Sequence, residues 1–430
     1  MAQTANFDIR PKQNSPYSRF GLGDLRDQYF VAASAMGGIS ATFQDPFHLN
    51  FRNPASLASL RATAFEVGVD AKYASLKGAD QKTNNWSGNL NYLALGFPLK
   101  NPINEALERR RLPFGLGMGF ALQPYSVVGY DVQVDLEGNG AGETNNSFKG
   151  SGGTYRLMWG NAARWQDFSV GFNLSYLFGN INNSRRVEFP GQELAYASEF
   201  LDKISFSGWL WEFGAQYTYE FKKPNAEGEM ESTGKRIIAG VFGSSKNKFQ
   251  TNTTRFISRD NFLVGARDTV LFEEDIEREG TLPAQMTLGL GFEEVNRLRV
   301  GIEYSRDLWN QYRNEARPQE LKDTWGVAFG AEYIPDISSY NSYFEKVRYR
   351  FGGFYRTDPR TFDAGQLDQL ALTLGFGFPI IRPRQQTSFL NVSFEAGQFG
   401  HPDIIRETYF KMGLGFTLND NTWFFKRKFN

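Results

Sequence analysis

A chain of 430 residues offers only two histidines, His48 and His401, and no cysteine for nucleophilic or metal chemistry. No Gly-x-Ser-x-Gly elbow presents a serine, so no catalytic residue and no enzymatic activity is expected. Gly234-Lys235 looks faintly like part of a phosphate loop, but Gly228 stands one residue too far away and Arg236 replaces the needed Ser or Thr. It reads as a turn. The acids Glu273, Glu274, Asp275, Glu277 and Glu279 lack the spacing of a calcium loop and read as a solvated face. Neither a metal site nor a cofactor is expected. What remains is a set of charges at alternating positions. Arg348, Arg350 and Arg356 share one strand face opposite Val347, Tyr349 and Phe351, and Glu212, Glu220, Arg299, Glu303, Glu332 and Glu395 fall on matching faces elsewhere. Such a set has two readings: a polar constriction or carboxylate-binding patch, or a structural network.

The elements that carry these charges are legible in the stretch from Ile204 to Phe221. Trp209, Trp211, Phe213, Ala215, Tyr217, Tyr219 and Phe221 face one way, and Gly208, Glu212, Gly214, Gln216, Thr218 and Glu220 face the other. A side-chain period of two makes a strand. Its length is about twice that of an ordinary globular strand, and its apolar face ends in aromatics, as suits a bilayer with aromatic belts opposite a wet interior. A charge on the lipid face near the midplane costs roughly 2–4 kcal/mol, so Glu212 and its like must point into a lumen.

The same pattern recurs from Ala62 onward, through Phe114 to Leu122 against Gly115, Gly117 and Gly119, and on to Tyr409 to Leu418. The tally is about fourteen strands, an even number as single-chain bacterial barrels require. The expected fold is therefore all-β, a transmembrane antiparallel barrel (62–418) preceded by an irregular plug (1–61) and followed by a periplasmic tail (419–430). Tight links such as Gln166-Asp167 and Glu294 to Asn296 belong to the periplasmic end. Long polar links (Tyr125 to Lys149, Ile181 to Leu201, Gln250 to Thr281, Arg306 to Leu321) belong to the outside. Lys100 to Leu112 and Pro335 to Lys346 are long exceptions at the periplasmic end, and Asn104 to Arg111 reads as a short helix there.

With 44 glycines, 40 phenylalanines and 16 % aromatic residues, the composition favours strands, turns and interfacial belts. The formal net charge of zero gives no footprint for nucleic acid. No apolar run approaches the eighteen or so residues of a membrane helix. The segment after Met1 lacks the regions of a secretory signal, so an outer-membrane location implies that a signal has been removed.

Three features carry a resemblance. Asn53-Pro54-Ala55-Ser56-Leu57-Ala58 before the first strand is similar to the Asn-Pro-Ala motif of the FadL family of outer-membrane transporters for hydrophobic molecules. Thr281-Leu282-Pro283 followed by Leu288-Gly289-Leu290-Gly291 is similar to that family's proline entry to the eighth strand, and the strand count agrees. Ser15 to Asp24 and the closing Trp423 to Phe429 look like the FadL-like barrels of Bacteroidota, a group that also includes PorV of the type IX secretion system. The resemblance implies a plug motif at Asn53, Pro54, Ala55, Ser56 and Leu57, and a lateral opening where Pro124 interrupts pairing, at Pro124, Tyr125 and Gly129. The competing reading makes Pro124 the end of its strand. The lumen charges of that implied site are Glu212, Arg299, Glu303, Arg348, Arg350 and Arg356.

The expected function is passive outer-membrane uptake of hydrophobic small molecules such as long-chain fatty acids. The alternative is a non-transporting accessory barrel of a secretion (type IX) or barrel-assembly machinery. The expected partners are the lipid bilayer, a hydrophobic ligand, and outer-membrane or periplasmic proteins that would dock on loops such as Phe262, Leu263 and Val264. A lumen filled completely by the amino-terminal segment would favour the accessory role.

Overall fold

The computed structural model describes residues 11, 13–78, 82–100, 113–138, 142–192, 195–224, 230–261, 266–382 and 386–420. The expected helix at Asn104 to Arg111, the loop tip Phe262 to Val264 and most of the tail lie outside the described residues. The last strand itself runs on to Asp420 rather than stopping at Leu418.

After the short β1 (Asp24–Leu25), the wall is built from β2 (Thr63–Lys77), β3 (Lys82–Pro98), β4 (Phe114–Gly138), β5 (Gly142–Trp165), β6 (Phe168–Glu188) and β7 (Ala197–Pro224). It continues through β8 (Met230–Ser244), β9 (Asn247–Asn261), β10 (Ala266–Leu282), β11 (Gln285–Glu294), β12 (Leu298–Asp307), β13 (Arg313–Asn314) and β14 (Thr324–Tyr333). It ends with β15 (Arg348–Phe362), β16 (Gly365–Arg382), β17 (Gln386–His401) and β18 (Ile405–Asp420). Every neighbour is antiparallel, and β18 closes on β2 from Arg406↔Lys77 to Asp420↔Thr63. β7 pairs with β8 at its lower end and with β9 at its upper end, so β8 and β9 are one wall strand broken at Ser245-Lys246. β10 and β11 likewise form one strand across Pro283-Ala284. Apart from β1 and the two-residue β13, the wall therefore has fourteen strands.

Two ends can be named. The base holds the tight turns 166–167 and 295–297, and the crown holds the opposite hairpins. Three long polar links expected at the crown are instead ladder: β4 and β5 stay paired to Gly138↔Gly142, β6 and β7 to Val187↔Ser198, and β9 and β10 to Asn261↔Ala266. A polar sequence can still alternate and pair, and pairing satisfies backbone groups that a loop would leave to water. Of the long crown links, only the one between β12 and β14 remains a loop, with a 3-10 turn at Trp309–Gln311.

The strand at Ile204 to Phe221 faces its side chains as its alternation requires. Trp209 is 63 % exposed and Phe213 53 %, while Glu212 is 4 % exposed. Aromatic pairs rim the outer surface at both levels, with Tyr73–Trp86 and Tyr176–Trp209 toward the crown and Phe114–Trp165 and Tyr219–Phe221 toward the base. That is the girdled apolar band of a bilayer-spanning barrel. Opposite the band the inner face of β7 is polar at Glu212, Gln216 and Thr218, but toward the crown it is not. Ile204, Phe206 and Leu210 on the inner face of β7 join Val128, Tyr130, Leu177, Ile181 and Phe249 in a dry core at the crown.

Candidate functional site

The amino-terminal segment runs inside the wall. Its clearest mark is at Gly171 of β6 and Gly330 of β14, where a Cβ would collide with the backbone of Pro54 and Met36 respectively. Only glycine admits so close an approach of two backbones. The Asn53 to Leu57 motif explains why the segment holds one shape here. Asn53 caps the 3-10 turn Pro54–Ser59 by accepting from the Ala55 amide at 3.2 Å, and its Nδ2 donates to the Ala41 carbonyl at 2.8 Å. Ser56 Oγ donates to the carbonyls of Asn50 and Asn53 at 2.9 and 2.8 Å. The wall reaches in to meet these groups: Asn173 Nδ2 donates to the Phe51 carbonyl at 2.6 Å and Gln216 Nε2 to the Ala41 carbonyl at 2.8 Å. Around the turn pack Phe30, Val31, Leu49, Phe51, Leu57 and Tyr92, with Phe30 stacked on Tyr92 at 3.8 Å between ring centroids.

The expected lumen charges divide among four places. Toward the base, Arg348 pairs with Asp45 at 2.7 Å, Arg350 with Glu332 at 2.7 Å, and Arg299 with both Glu332 and Glu293 at 3.2 and 3.1 Å. His48 bridges Asp45 and Asn391, each at 3.1 Å, and Arg350 donates to Asn391 at 2.7 Å. Beside β5, Glu212 takes Arg156 at 3.0 Å and Gln285 at 3.1 Å. Glu303 instead accepts from the backbone amides of Ser40 and Ala41. At mid-height, Arg356 and Lys411 both reach Asp27, at 2.6 and 2.8 Å. The sequence reading missed Asp27, Asp45 and Lys411. Two acids in a segment otherwise rich in small residues were the available signal, because a buried acid needs a cation on whatever surrounds it.

Pro124, Tyr125 and Gly129 all lie on the stretch of β4 beyond its pairing with β3. β3 and β4 pair only from Pro98↔Gly117 to Leu93↔Leu122, while the pairing of β4 with β5 skips a residue between Pro124 and Ser126. Pro124 is not the end of its strand, which runs on to Gly138. Above the proline, β4 bends toward the segment inside. Arg26 N donates to the Tyr125 carbonyl at 3.0 Å, Ser15 N to the Gly129 carbonyl at 2.8 Å, and β1 pairs Asp24↔Val127 and Leu25↔Ser126.

Between the mid-height ion pairs and the crown lies a polar cavity of about 230 Å³, bordered by Tyr29, Arg52, Tyr125, Asp307 and Trp309. Arg52 forms no ion pair among the described residues and sits against the rings of Tyr29 and Phe242, at 5.6 and 5.1 Å. Above the cavity the loop between β12 and β14 folds inward. Trp309, Tyr312 and Leu321 enter the crown core beside Leu22, and Arg317 donates to Asn183 at 3.2 Å.

Among solved structures, the chain is similar to the CymD monoaromatic hydrocarbon channel at 15 % identity and a TM-score of 0.52, covering 93 % of this chain and 99 % of that one. It is similar to the Ralstonia pickettii toluene transporter TbuX at 13 % identity and a TM-score of 0.54, with 91 and 98 % covered. A Pseudomonas aeruginosa FadL homologue gives 13 % identity and a TM-score of 0.52, again with 91 and 98 % covered. These likenesses show the fold, an antiparallel β-barrel like that of the three proteins. No curated protein matches the chain. The BamG family model matches residues 5–430, so the chain belongs to the BamG family.

Proposed function

We propose that this protein is an accessory barrel of an outer-membrane protein-assembly or secretion machinery, with its lumen closed by residues 1–61 acting as a plug. On this reading the barrel runs to Asp420, where β18 ends, and its base and the tail that follows face the periplasm. The observation that carries the proposal is the packing of the interior at two levels. The Asp45–Arg348 and Arg350–Glu332–Arg299 network ties the segment to three wall strands, β12, β14 and β15, toward the base, and Trp309, Tyr312 and Leu321 pack in the crown. Opening either layer exposes buried charge or a packed apolar core, and breaking a buried pair costs about 3–5 kcal/mol. The Asn53 motif and the lumen arginines are structural on this reading.

The test joins two measurements on one preparation. In proteoliposomes the purified barrel is expected to pass neither ions nor toluene above the protein-free background, and from gently solubilised membranes it is expected to bring down stoichiometric protein partners. Transport without partners would sink the proposal.

Passive uptake of hydrophobic molecules is the second reading. It is supported by the fold shared with the CymD and TbuX channels and by the parting of β3 from β4 beside Pro124. Fatty acids in particular would need the cavity beside Arg52 to receive a carboxylate. If Pro124→Ala left uptake of every hydrophobic solute unchanged, the lateral route would be excluded.

A further inference from the structure

The two lips of the parting between β3 and β4 are treated differently by the chain. The β4 lip is capped: Ser15, Ser18, Arg26 and β1 supply partners to its backbone from Tyr125 to Gly129. The β3 lip is bare. From Thr83 to Asn91 no strand among the described residues pairs with it on the β4 side, and among the described residues its hydrogen bond to the amino-terminal segment is Asn85 Nδ2 to the Asn14 carbonyl at 3.5 Å. Tyr73 and Trp86 mark the upper aromatic rim of the apolar band, their rings 4.9 Å apart. The lip between Trp86 and Tyr92 therefore lies within the outer part of the membrane, where unpaired backbone is costly.

A second open edge gives the contrast. Among the described residues β10 has no strand beyond β9 from Asp268 to Arg278, and it carries Asp268, Glu273, Glu274, Asp275, Glu277 and Glu279. Register breaks fall at Thr269/Leu271 and at Glu273/Ile276. Charges and bulges are the devices by which natural edges refuse another strand. β3 lacks the charges and carries its one break lower down: Thr83 to Tyr92 contains no charged residue and no proline, the register with β2 shifts at Asn91, at the foot of the lip, and it is unbroken from Leu90 up to Lys82. Outward from this lip stand Trp86, 71 % exposed, and Leu90, 48 % exposed. Inward stands Asn89, whose Nδ2 is buried without a hydrogen-bond partner.

We propose that the β3 lip is a docking edge on which a different outer-membrane protein adds an extended segment, antiparallel or parallel, completing the wall at the level of the outer leaflet. The segment would be uncharged, apolar on its lipid side and polar on its lumen side, with an acceptor for Asn89. Strand addition supplies affinity through backbone hydrogen bonds and selectivity through alternate side chains. The proposal rests on the accessory reading and names where its partner binds.

The test uses the full-length barrel in its native membrane, with a photo-crosslinking amino acid at Gly88, where an added Cβ meets nothing nearer than the Asp70 carbonyl at 3.7 Å. The same group at lipid-facing Leu372 is the control. The expected result is one protein adduct from Gly88 and none from Leu372, mapping to a single extended stretch of another outer-membrane protein. That adduct should fall at least tenfold in Asn89→Lys, with the folded barrel's gel mobility unchanged. Adducts to lipid alone would overturn the proposal, and so would adducts to a second copy or to the chain's own residues before Pro11. The Gly88 result decides even if Asn89→Lys fails to fold. A partner that co-purifies equally with wild type and Asn89→Lys would keep the accessory reading and remove the edge, whereas no protein partner at all removes both.

Discussion

β6 and β7 each stand in two solvents, and their side chains exchange roles partway along. Below Phe178, the outer face of β6 carries Phe172, Leu174 and Tyr176 while Asn173 and Ser175 are buried inside. From Leu177 upward, Leu177 and Ile181 are the buried residues and Asn180 faces out. β7 does the same, with Trp209 and Phe213 outside and Glu212 and Gln216 inside below, then Ile204 and Phe206 inside above. No residue is skipped between β6 and β7 across this change. Lipid rewards an apolar outer face and leaves the interior free to be polar, whereas water demands the ordinary arrangement of an apolar core. The lower lumen is therefore held by ion pairs and amides, and the crown by aromatic and aliphatic packing.

The largest effect should come from the lower region. Glu332→Ala leaves Arg350 and much of Arg299 buried without their carboxylate, and losing one member of a buried network costs about 3–5 kcal/mol. The urea midpoint of the folded barrel should fall sharply. A double replacement, Glu332→Ala with Arg350→Ala, should recover part of the loss; a midpoint unmoved by the single change would show that water reaches the network.

The crown counterpart is Phe249→Ala. Phe249 is 2 % exposed and packs against Phe206 and Tyr312, so the cavity costs about 3–5 kcal/mol. The loss should stay local, because the loop of residues 308–323 can leave while the lower wall persists. Limited proteolysis should cut within 308–323 in the variant and leave the barrel's gel mobility intact. A fall in both would mean that the two regions unfold as one.

The level of the exchange can be located directly. Leu174→Lys puts a charge on the lipid face and should cost roughly 2–4 kcal/mol, whereas Asn180→Lys, on the same face of the same strand, should change stability by no more than about 0.5 kcal/mol. Refolding into lipid vesicles followed by urea titration separates the two. Equal costs would move the membrane boundary above Asn180.

This exchange also explains what the sequence disclosed. Alternation is a property of the strand, so the wall strands and the inward placing of Glu212, Arg299 and Arg348 were readable from period two alone. The crown was misread because its outward residues, Asn180, Asn182 and Ser184 among them, are polar. A polar stretch that follows a membrane strand looks like a loop when the buried Leu177 and Ile181 are counted with the lipid-facing residues. The partners of the lumen charges were less legible still. Asp27 and Asp45 stand hundreds of residues before Arg356, Lys411 and Arg348, and nothing local to either acid names its arginine or lysine.

The smallest effect tests whether the Asn53 motif acts through its own turn or through the wall. Asn53→Ala removes the cap on Ala55 and the bond to the Ala41 carbonyl. Gln216 still donates to that carbonyl, so no acceptor is orphaned there. The expected loss is about 0.5–2 kcal/mol, the ordinary value of an N-cap, read as a modest shift in the urea midpoint with the barrel still closed to ions. Asn53→Asp keeps the acceptor for Ala55 but loses the donor to Ala41, and it places a carboxylate in a buried site whose nearest polar neighbours are carbonyls. If capping is the main contribution, Asn53→Asp should match or exceed the stability of Asn53→Ala. If the donated bond and the uncharged site matter more, Asn53→Asp should be the worse of the two, and the motif would then be selected for its fit against β6 and β7 rather than for starting a turn.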